Sequence, residues 1–309
     1  MFLSLLLSGF LTFVEWNCEN LFDYTHDEGK QDTEFLPEAT RRWTSHRYWK
    51  KLDAVGRTIV SCSESGIPDL VALVEVENDR VLRDLTRRSL LRGAKYEYLM
   101  TESRDSRGID VALLYSPFSF SPICYETIPV TPPPGMRFTR DILYVQGRLR
   151  SGDTLHVFVV HAPSKFDGAR ATRQYRQQVG ETLLATIGDI TNCSPQAAIL
   201  VAGDLNESPE EPMVQRLRQS GLHDLTVEAK GSHGAEATYR YQGDWEAIDH
   251  ILVSEALQNR HIGTLINDHP FLLEKEEKYG GVKPRRTYVG SRYMGGFSDH
   301  LPLVSRFDL

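Results

Sequence analysis

Residues 197–209 read AAILVAGDLNESP. The unbroken apolar run from Ala197 to Ala202 has the length and composition of a fully buried strand. It stops at Gly203, and an acid and an amide, Asp204 and Asn206, follow at once. Polar groups placed directly after a buried strand lie at a sheet rim, where loops carry chemistry more often than packing. GDLN also fits a plain turn, so its meaning depends on what else the chain places in similar positions.

The same arrangement recurs. Asn17 and Glu19 follow TFVEW, and DLVALVEVE ends on Glu75 and Glu77. HVFVVH ends on His161, Asp249 and His250 sit in IDHILVS, and Asp299 and His300 immediately precede LPLV. Each has a bland reading alone: a turn asparagine at 17, an exposed strand-end acid at 75, a helix-start charge cluster at Glu77 and Asp79, a core histidine at 161. Together they predict one cleft at the common rim of the strands. Carboxylates gathered there repel one another unless a cation neutralises them. Oxygen ligands without thiolates favour a hard divalent ion, Mg²⁺ or Mn²⁺. Histidines beside the acids suit proton transfer near neutral pH. Metal, acids and imidazoles together fit in-line attack of water on a phosphoester.

The surrounding 309 residues are 40% hydrophobic and 25% charged, ordinary globular composition with enough chain for a sizeable core. A net charge of −7 argues against a generic polyanion binder, so any nucleic-acid contact must come from a local patch. Cys18, Cys62, Cys124 and Cys193 form no CxxC pair, which argues against a zinc knuckle or a thioredoxin-like motif. Tyr48, Leu52, Val55 and Ile59 at helical spacing predict a helix over 45–63 capped by Ser45. Further helices are predicted over 78–91, 171–190 and 212–219. Strands are predicted over 12–16, 69–76, 108–115, 142–149, 154–161, 197–202, 247–253 and 301–307. That order predicts two packed mixed β-sheets flanked by helices. PVTPPPG at 129–135 reads as a stiff connection within one domain, residues 12–309, because candidate site residues lie on both sides of it. Residues 1–11 are apolar but too few to span a bilayer as a helix. Two readings stand for them, the remnant of an export signal without its basic start or the beginning of the first strand, and location is open to the same degree. No transmembrane span and no protein-partner motif is visible, so a monomer is expected.

The set WNCENLFD, LVEVEN, RGIDVALLY, VVHAPS, GDLNESP, AIDHILVS and GGFSDHLPL resembles the endonuclease/exonuclease/phosphatase superfamily, the DNase-I-like fold, from about residue 12 to 308. Its wording is similar to that of bacterial members, many of them exported. The resemblance implies a four-layer α/β sandwich with the site at one rim between the sheets. It implies metal contacts at Asn17, Glu75, six residues after Asp69, and Glu19, with Asp299 beside them in the terminal SDH. It implies that His161 contacts the scissile phosphate or leaving group. Asp204 would orient or deprotonate the attacking water, and Asn206 would hold phosphate and water in line. His300 would stabilise the transition state or act as acid–base, with Asp249 orienting it. His250, where many relatives have an aromatic residue, has two readings, a group beside the catalytic residues or, the favoured one, a strand residue facing the other way.

Substrate is less legible. Candidate contacts are Arg107, Asp110, Arg140, Ser164 and Lys165, with a structural ion pair as the alternative for Arg107 and Asp110. The expected activity is metal-dependent phosphodiester hydrolysis, foremost as a nuclease. The alternatives are a phosphatase or phospholipase C-like hydrolase of inositol phosphates, phospholipids or small phosphoesters, and a non-catalytic binding module of the same fold. A lipid enzyme would carry an exposed apolar hairpin, for which FLLEKEEKYGG (271–281) is a faint candidate.

Overall fold

The first strand runs further than its apolar pattern predicts. In the computed structural model, which describes residues 9–64, 66–165 and 168–309, β1 spans Phe10–Leu21. It stays paired beyond Asn17 because a bulge lets it remain beside its neighbour. That neighbour is β2 (Leu70–Val76), parallel to β1 and reached through α1 (Ser45–Ser61). Then come α2 (Asp79–Arg87), β3 (Glu97–Met100) and β4 (Asp110–Tyr115).

The second half repeats the plan. β5 (Phe120–Ile128) and β6 (Ile142–Leu149) lead to β7 (Thr154–His161), and α3 (Ala169–Cys193) returns the chain to β8 (Ala198–Asp204), parallel to β7. α4 (Pro212–Gln219), β9 (His223–Asp224), the hairpin of β10 (Tyr239–Tyr241) and β11 (Asp244–Glu246), and β12 (Asp249–Val253) follow. β13 (His261–Ile266) crosses back to the first sheet. Two short hairpins come next, β14 (Leu273–Lys275) with β15 (Val282–Pro284) and β16 (Tyr288–Val289) with β17 (Arg292–Tyr293). β18 (Leu303–Asp308) closes against β1. The two large sheets run β13-β18-β1-β2-β4-β3 and β5-β6-β7-β8-β12-β9.

Alternation along the strands builds three apolar layers. Phe13, Leu70, Ala72, Val74, Val157, Val159, Leu200, Ala202 and Ile251 fill the space between the sheets. Val14, Trp16, Val71 and Leu73 face α1 and α2, while Phe158, Val160, Ile199, Val201 and Leu252 face α3 and α4. Helix, sheet, sheet, helix is the four-layer sandwich.

Several boundaries differ from the sequence reading. Ser45 is the first helical residue of α1, and Thr44 precedes it without a side-chain cap. The helix expected over 78–91 ends at Arg87, with Asn78 accepting from the Val81 amide at 3.1 Å as its cap. Its basic face is paired: Arg83 with Asp79, Arg87 with Glu97 and Arg88 with Asp84. The pattern did not predict β3, β5 or β13, which lie at sheet edges and are largely solvated. FLLEKEEKYGG does form a hairpin, but Phe271, Leu272 and Leu273 pack against the inter-sheet core. Of the apolar segment 1–11, residues 1–8 lie outside the described residues, while Phe10 and Leu11 belong to β1. No described helix is long and apolar enough to cross a membrane, and the four cysteines are free.

Gly203 is where the fold constrains the site most tightly. Its φ is +146°, and a Cβ there would meet the Val160 carbonyl oxygen at 1.8 Å. Gly203→Ala is therefore expected to destabilise the protein by about 1–3 kcal/mol through backbone strain alone, with the clash added. Urea unfolding checks this, and an unchanged midpoint would overturn it.

Candidate active site

Strand parity decides who reaches the rim. Counting by twos from the inter-sheet residues Val157 and Val159, Leu200 and Ala202, and Ile251 places His161, Asp204 and Asp249 on the same inward face. Phe13 carries the same parity to Glu15 and Asn17. His161 and Asp204 are register partners across β7 and β8, and Asp204 and Asp249 across β8 and β12. His250, one residue off, points outward, as expected; its ring binds Asp224 at 2.9 Å and the Glu207 carbonyl at 2.8 Å.

Glu75 has the wrong parity, and a bulge corrects it. Val74 faces the inter-sheet core and Val76 the helices, so the alternation breaks between them, where both neighbouring ladders shift register. Glu75 absorbs the irregularity with a left-handed φ of +65°. Its Oε2 accepts from the Asn20 amide at 2.8 Å, and its Oε1 lies 4.0 Å from His161 Nε2.

The groups converge on Asp204. Its Oδ2 accepts from Asn17 Nδ2 at 3.1 Å and its Oδ1 from the Asn206 amide at 2.9 Å. His161 Nε2 and His300 Nε2 lie 3.8 and 4.0 Å from Oδ2. His300 Nδ1 is 2.7 Å from Asp249 Oδ2, which also accepts from Thr238 at 2.5 Å. The loop carrying His300 is tied to β1: Trp16 Nε1 donates to the His300 carbonyl at 3.0 Å, and Ser298 donates to the Asn17 carbonyl at 2.7 Å. Asn206, with φ +51°, donates through its side chain to the Ala162 carbonyl at 3.1 Å.

The environments push these groups apart. Burial, the guanidinium groups of Arg140 and Arg107, and His300 hold His161 well below the usual imidazole range, so it is neutral. For His300 the attraction of Asp249, Asp299 and Asp204 outweighs burial, and its proton is held well above that range. Burial, reinforced by the Asp249 charge, pushes Asp204 up to about 7. A neutral imidazole, a protonated imidazole and a carboxyl that titrates near neutrality thus face one point.

Asn17, Glu75, His161, Ser164, Lys165, Asp204, Asn206, Arg107, Asp299 and His300 line one cleft of about 580 Å³. Four expected site residues do not line it. Asp249 is buried and bonded to His300 Nδ1. Glu19 is buried, accepts from the Thr287 amide at 2.5 Å, and is pushed up to about 7 by burial. Asp110 does not pair with Arg107: it is buried, accepting from Thr101 at 2.6 Å and from the Ser103 amide. Arg107 instead donates to Asn20 at 2.7 Å. Arg140 is also buried, paired with Asp105 at 3.4 Å and donating to the Ala162 carbonyl. Glu77 accepts from the Asp23 amide at 2.6 Å, and burial raises it to about 9.

The sequence reading missed the opposite wall. Tyr239, Tyr241 and Glu246 of the β10–β11 hairpin line the cleft, and the Tyr239 ring lies 4.7 Å from that of His300. The Gln242-Gly243 turn between them was the available signal. A larger hollow, about 960 Å³ between α4, β9 and β13, holds none of these groups.

Two donor sets suit a divalent ion. Asp204, Asp249 and His300 offer atoms within 4.8 Å of one another, with His300 Nδ1 and Asp249 Oδ2 already bonded to each other at 2.7 Å. Glu75 and Asn17 offer oxygens only, with Glu75 Oε1 outside hydrogen-bonding distance of its imidazole neighbour. That set fits a hard cation.

A model of the endonuclease/exonuclease/phosphatase family matches residues 12–308. The chain belongs to that family. Among solved structures, a conserved Enterococcus faecalis protein of unknown function is 18% identical, covering 96% of this chain and 98% of its own, with a TM-score of 0.63. Truncated TDP2 of Caenorhabditis elegans is 17% identical over 97% and 98%, with a TM-score of 0.61. A mannosyl-6-phosphatase of Bacteroides thetaiotaomicron is 14% identical over 96% and 98%, with a TM-score of 0.62. These likenesses establish the fold. No curated protein matches the chain in sequence. Membership in the endonuclease/exonuclease/phosphatase family makes the general chemistry phosphoester hydrolysis.

Proposed function

We propose that the chain hydrolyses phosphodiesters by in-line attack of water, in the presence of Mg²⁺ or Mn²⁺, and that its substrate is a nucleic acid. The observation that carries the reading is the convergence of His161 Nε2 and His300 Nε2 on one oxygen of Asp204, at 3.8 and 4.0 Å, with Glu75 Oε1 4.0 Å from the same His161 nitrogen.

Each group has a task that its environment supports. Asp204, titrating near 7, accepts the proton of the attacking water. Asn17 and Asn206 fix the Asp204 carboxyl through a side-chain amide and a main-chain amide, so the base is held rather than recruited. Protonated His300, held by Asp249, donates to the phosphoryl oxygens or the leaving oxygen. Neutral His161 gives a hydrogen bond to the phosphoryl group without adding charge. Glu75 and Asn17 would hold the ion, which supplies charge neutralisation for the developing negative oxygens. Arg107 and Lys165 at the mouth bind flanking phosphate as phosphate-positioning contacts.

A second reading, a compact phosphomonoester, is favoured by the wall of Tyr239, Tyr241 and Glu246. A carboxylate there repels a long polyanion and suits a hydroxylated ligand. The structural likeness to a mannosyl-6-phosphatase points the same way.

The test is hydrolysis of plasmid DNA, single-stranded DNA, RNA, an inositol polyphosphate, a choline phospholipid and a sugar phosphate, with Mg²⁺, Mn²⁺ or EDTA. Metal-dependent cleavage of nucleic acid is expected, and Glu75→Gln should lower it roughly 100-fold or more. Release only from the sugar phosphate would replace the first reading by the second. Full activity in EDTA would overturn both.

A further inference from the structure

Two acids that the resemblance places among the metal contacts, Glu19 and Asp299, are already spoken for by cations of this chain. Arg286 hydrogen-bonds Asp299 through Nη2, and its Nε lies 3.7 Å from Glu19 Oε1. Glu19 also accepts from the main-chain amides of Thr287 and Tyr288. Lys51, buried on the other side, donates to the Thr287 hydroxyl at 2.7 Å and to the Phe297 carbonyl, and its charge acts on both Glu19 and Asp299. Arg286 and Lys51 therefore bracket both acids, and the Glu19 oxygens are already taken up by main-chain amides. A second divalent ion entering there would meet two positive charges and no uncommitted acid.

Arg286 is not spent by this arrangement. Its Nη1 takes part in none of these bonds, and its side chain is 37% exposed beside Asp299 and Tyr239, both of which line the cleft. Asp299 and Glu19 fix the guanidinium through Nη2 and Nε, and a fixed guanidinium is well suited to phosphate.

We infer that the chain binds a single divalent ion, at Glu75 and Asn17, and that the Arg286 guanidinium occupies the second position as a built-in cation that binds the phosphoryl group. This rests on the metal-dependent reading above and extends it: the site is one ion plus one arginine rather than two ions.

The test uses equilibrium binding to the full chain, so it holds whichever substrate is turned over. Mn²⁺ stoichiometry is measured by calorimetry and electron paramagnetic resonance. Inorganic phosphate affinity is measured in saturating Mn²⁺. The wild type is expected to bind one Mn²⁺. Arg286→Gln is expected to weaken phosphate roughly 10–100-fold, the span of a lost charge-assisted hydrogen bond, and to admit a second Mn²⁺ by releasing Asp299 and Glu19. Arg286→Lys, which keeps the charge and serves if the glutamine variant fails to fold, should keep one ion and weaken phosphate by a smaller factor. Two ions in the wild type, or phosphate affinity unchanged in both variants, would overturn the inference. No Mn²⁺ in the wild type would overturn the metal-dependent reading itself, which separates the two failures.

Discussion

Asp204→Asn is expected to lower turnover by roughly 10²–10⁴-fold, the range for loss of a positioned general base, with unfolding free energy little changed. The substitution keeps shape and removes the ability to take a proton, together with the bond from Asn17 Nδ2, which would then face a donor. The Asn206 amide can still donate to the remaining oxygen, so the turn after β8 keeps its geometry. The pH profile gives the sharper test. Burial and the Asp249 charge raise Asp204 to about 7, so the wild-type base is protonated and idle below that value and active above it. Turnover should rise with pH through about 7, and a bound cation would move that limb lower. His300 is held protonated well above the usual imidazole range, so the alkaline limb lies above about 6.5 and reports its deprotonation. In Asp204→Asn the acid limb should vanish, while the alkaline limb remains but moves lower, because the Asp204 charge helps hold the His300 proton. Turnover within tenfold of wild type, or an unchanged acid limb, would move the base elsewhere.

How much of this was legible in the sequence follows from which signals are local. The apolar runs 69–76, 154–161 and 197–202 could be read directly, because buried central strands have no polar alternation to confuse them. Their polar ends gave His161, Asp204 and Asn206, and strand parity explains why those residues share a face. Glu75 was picked out as a strand-end acid and given its metal role by the resemblance, but simple alternation turns it toward the helices, and only the bulge at φ +65° brings it round. Asp110, at a strand end, and Arg140, in a basic loop cluster, lie buried beside the cleft rather than lining it, because neither signal tells a side chain that faces a cleft from one that faces a loop. Asp110 turns out to anchor the 101–103 backbone. The hairpin wall of Tyr239, Tyr241 and Glu246 was missed because three-residue strands carry too little periodicity to register. The pairing of Arg286 with Asp299, 13 residues apart, depends on how two loops meet, and no local pattern encodes that.

His250→Ala is expected to cost about 3–5 kcal/mol of stability, the usual price of leaving a buried charge without its partner. His250 lies on the outward face of β12, fully buried, with Nδ1 at 2.9 Å from Asp224 and Nε2 at 2.8 Å from the Glu207 carbonyl. Two acceptors require both ring nitrogens to carry protons, and the Asp224 charge holds the imidazole above its usual value against burial. Asp224 is in turn held below the ordinary carboxylate value, because His250 and the Thr226 amide outweigh its burial. The signs then follow. The raised His250 contributes stability that is complete below about 6.5 and is lost as pH rises through its folded value. The depressed Asp224 contributes stability that is present above about 3.9 and is lost as pH falls through its folded value. The wild-type excess over His250→Ala should therefore be greatest between about pH 4 and 6.5 and should shrink on the alkaline side. Urea unfolding across pH 4 to 9 measures it, and a difference below about 1 kcal/mol at pH 6 would show that the pair carries little. The consequence reaches the active face. His250 sits between Asp249 and Ile251 on β12 and opposite Gly203 in the ladder, so the bonds that fix its ring also fix the register in which Asp249 meets His300. Loosening them should lower turnover at temperatures well below the unfolding midpoint, although the imidazole never faces the cleft.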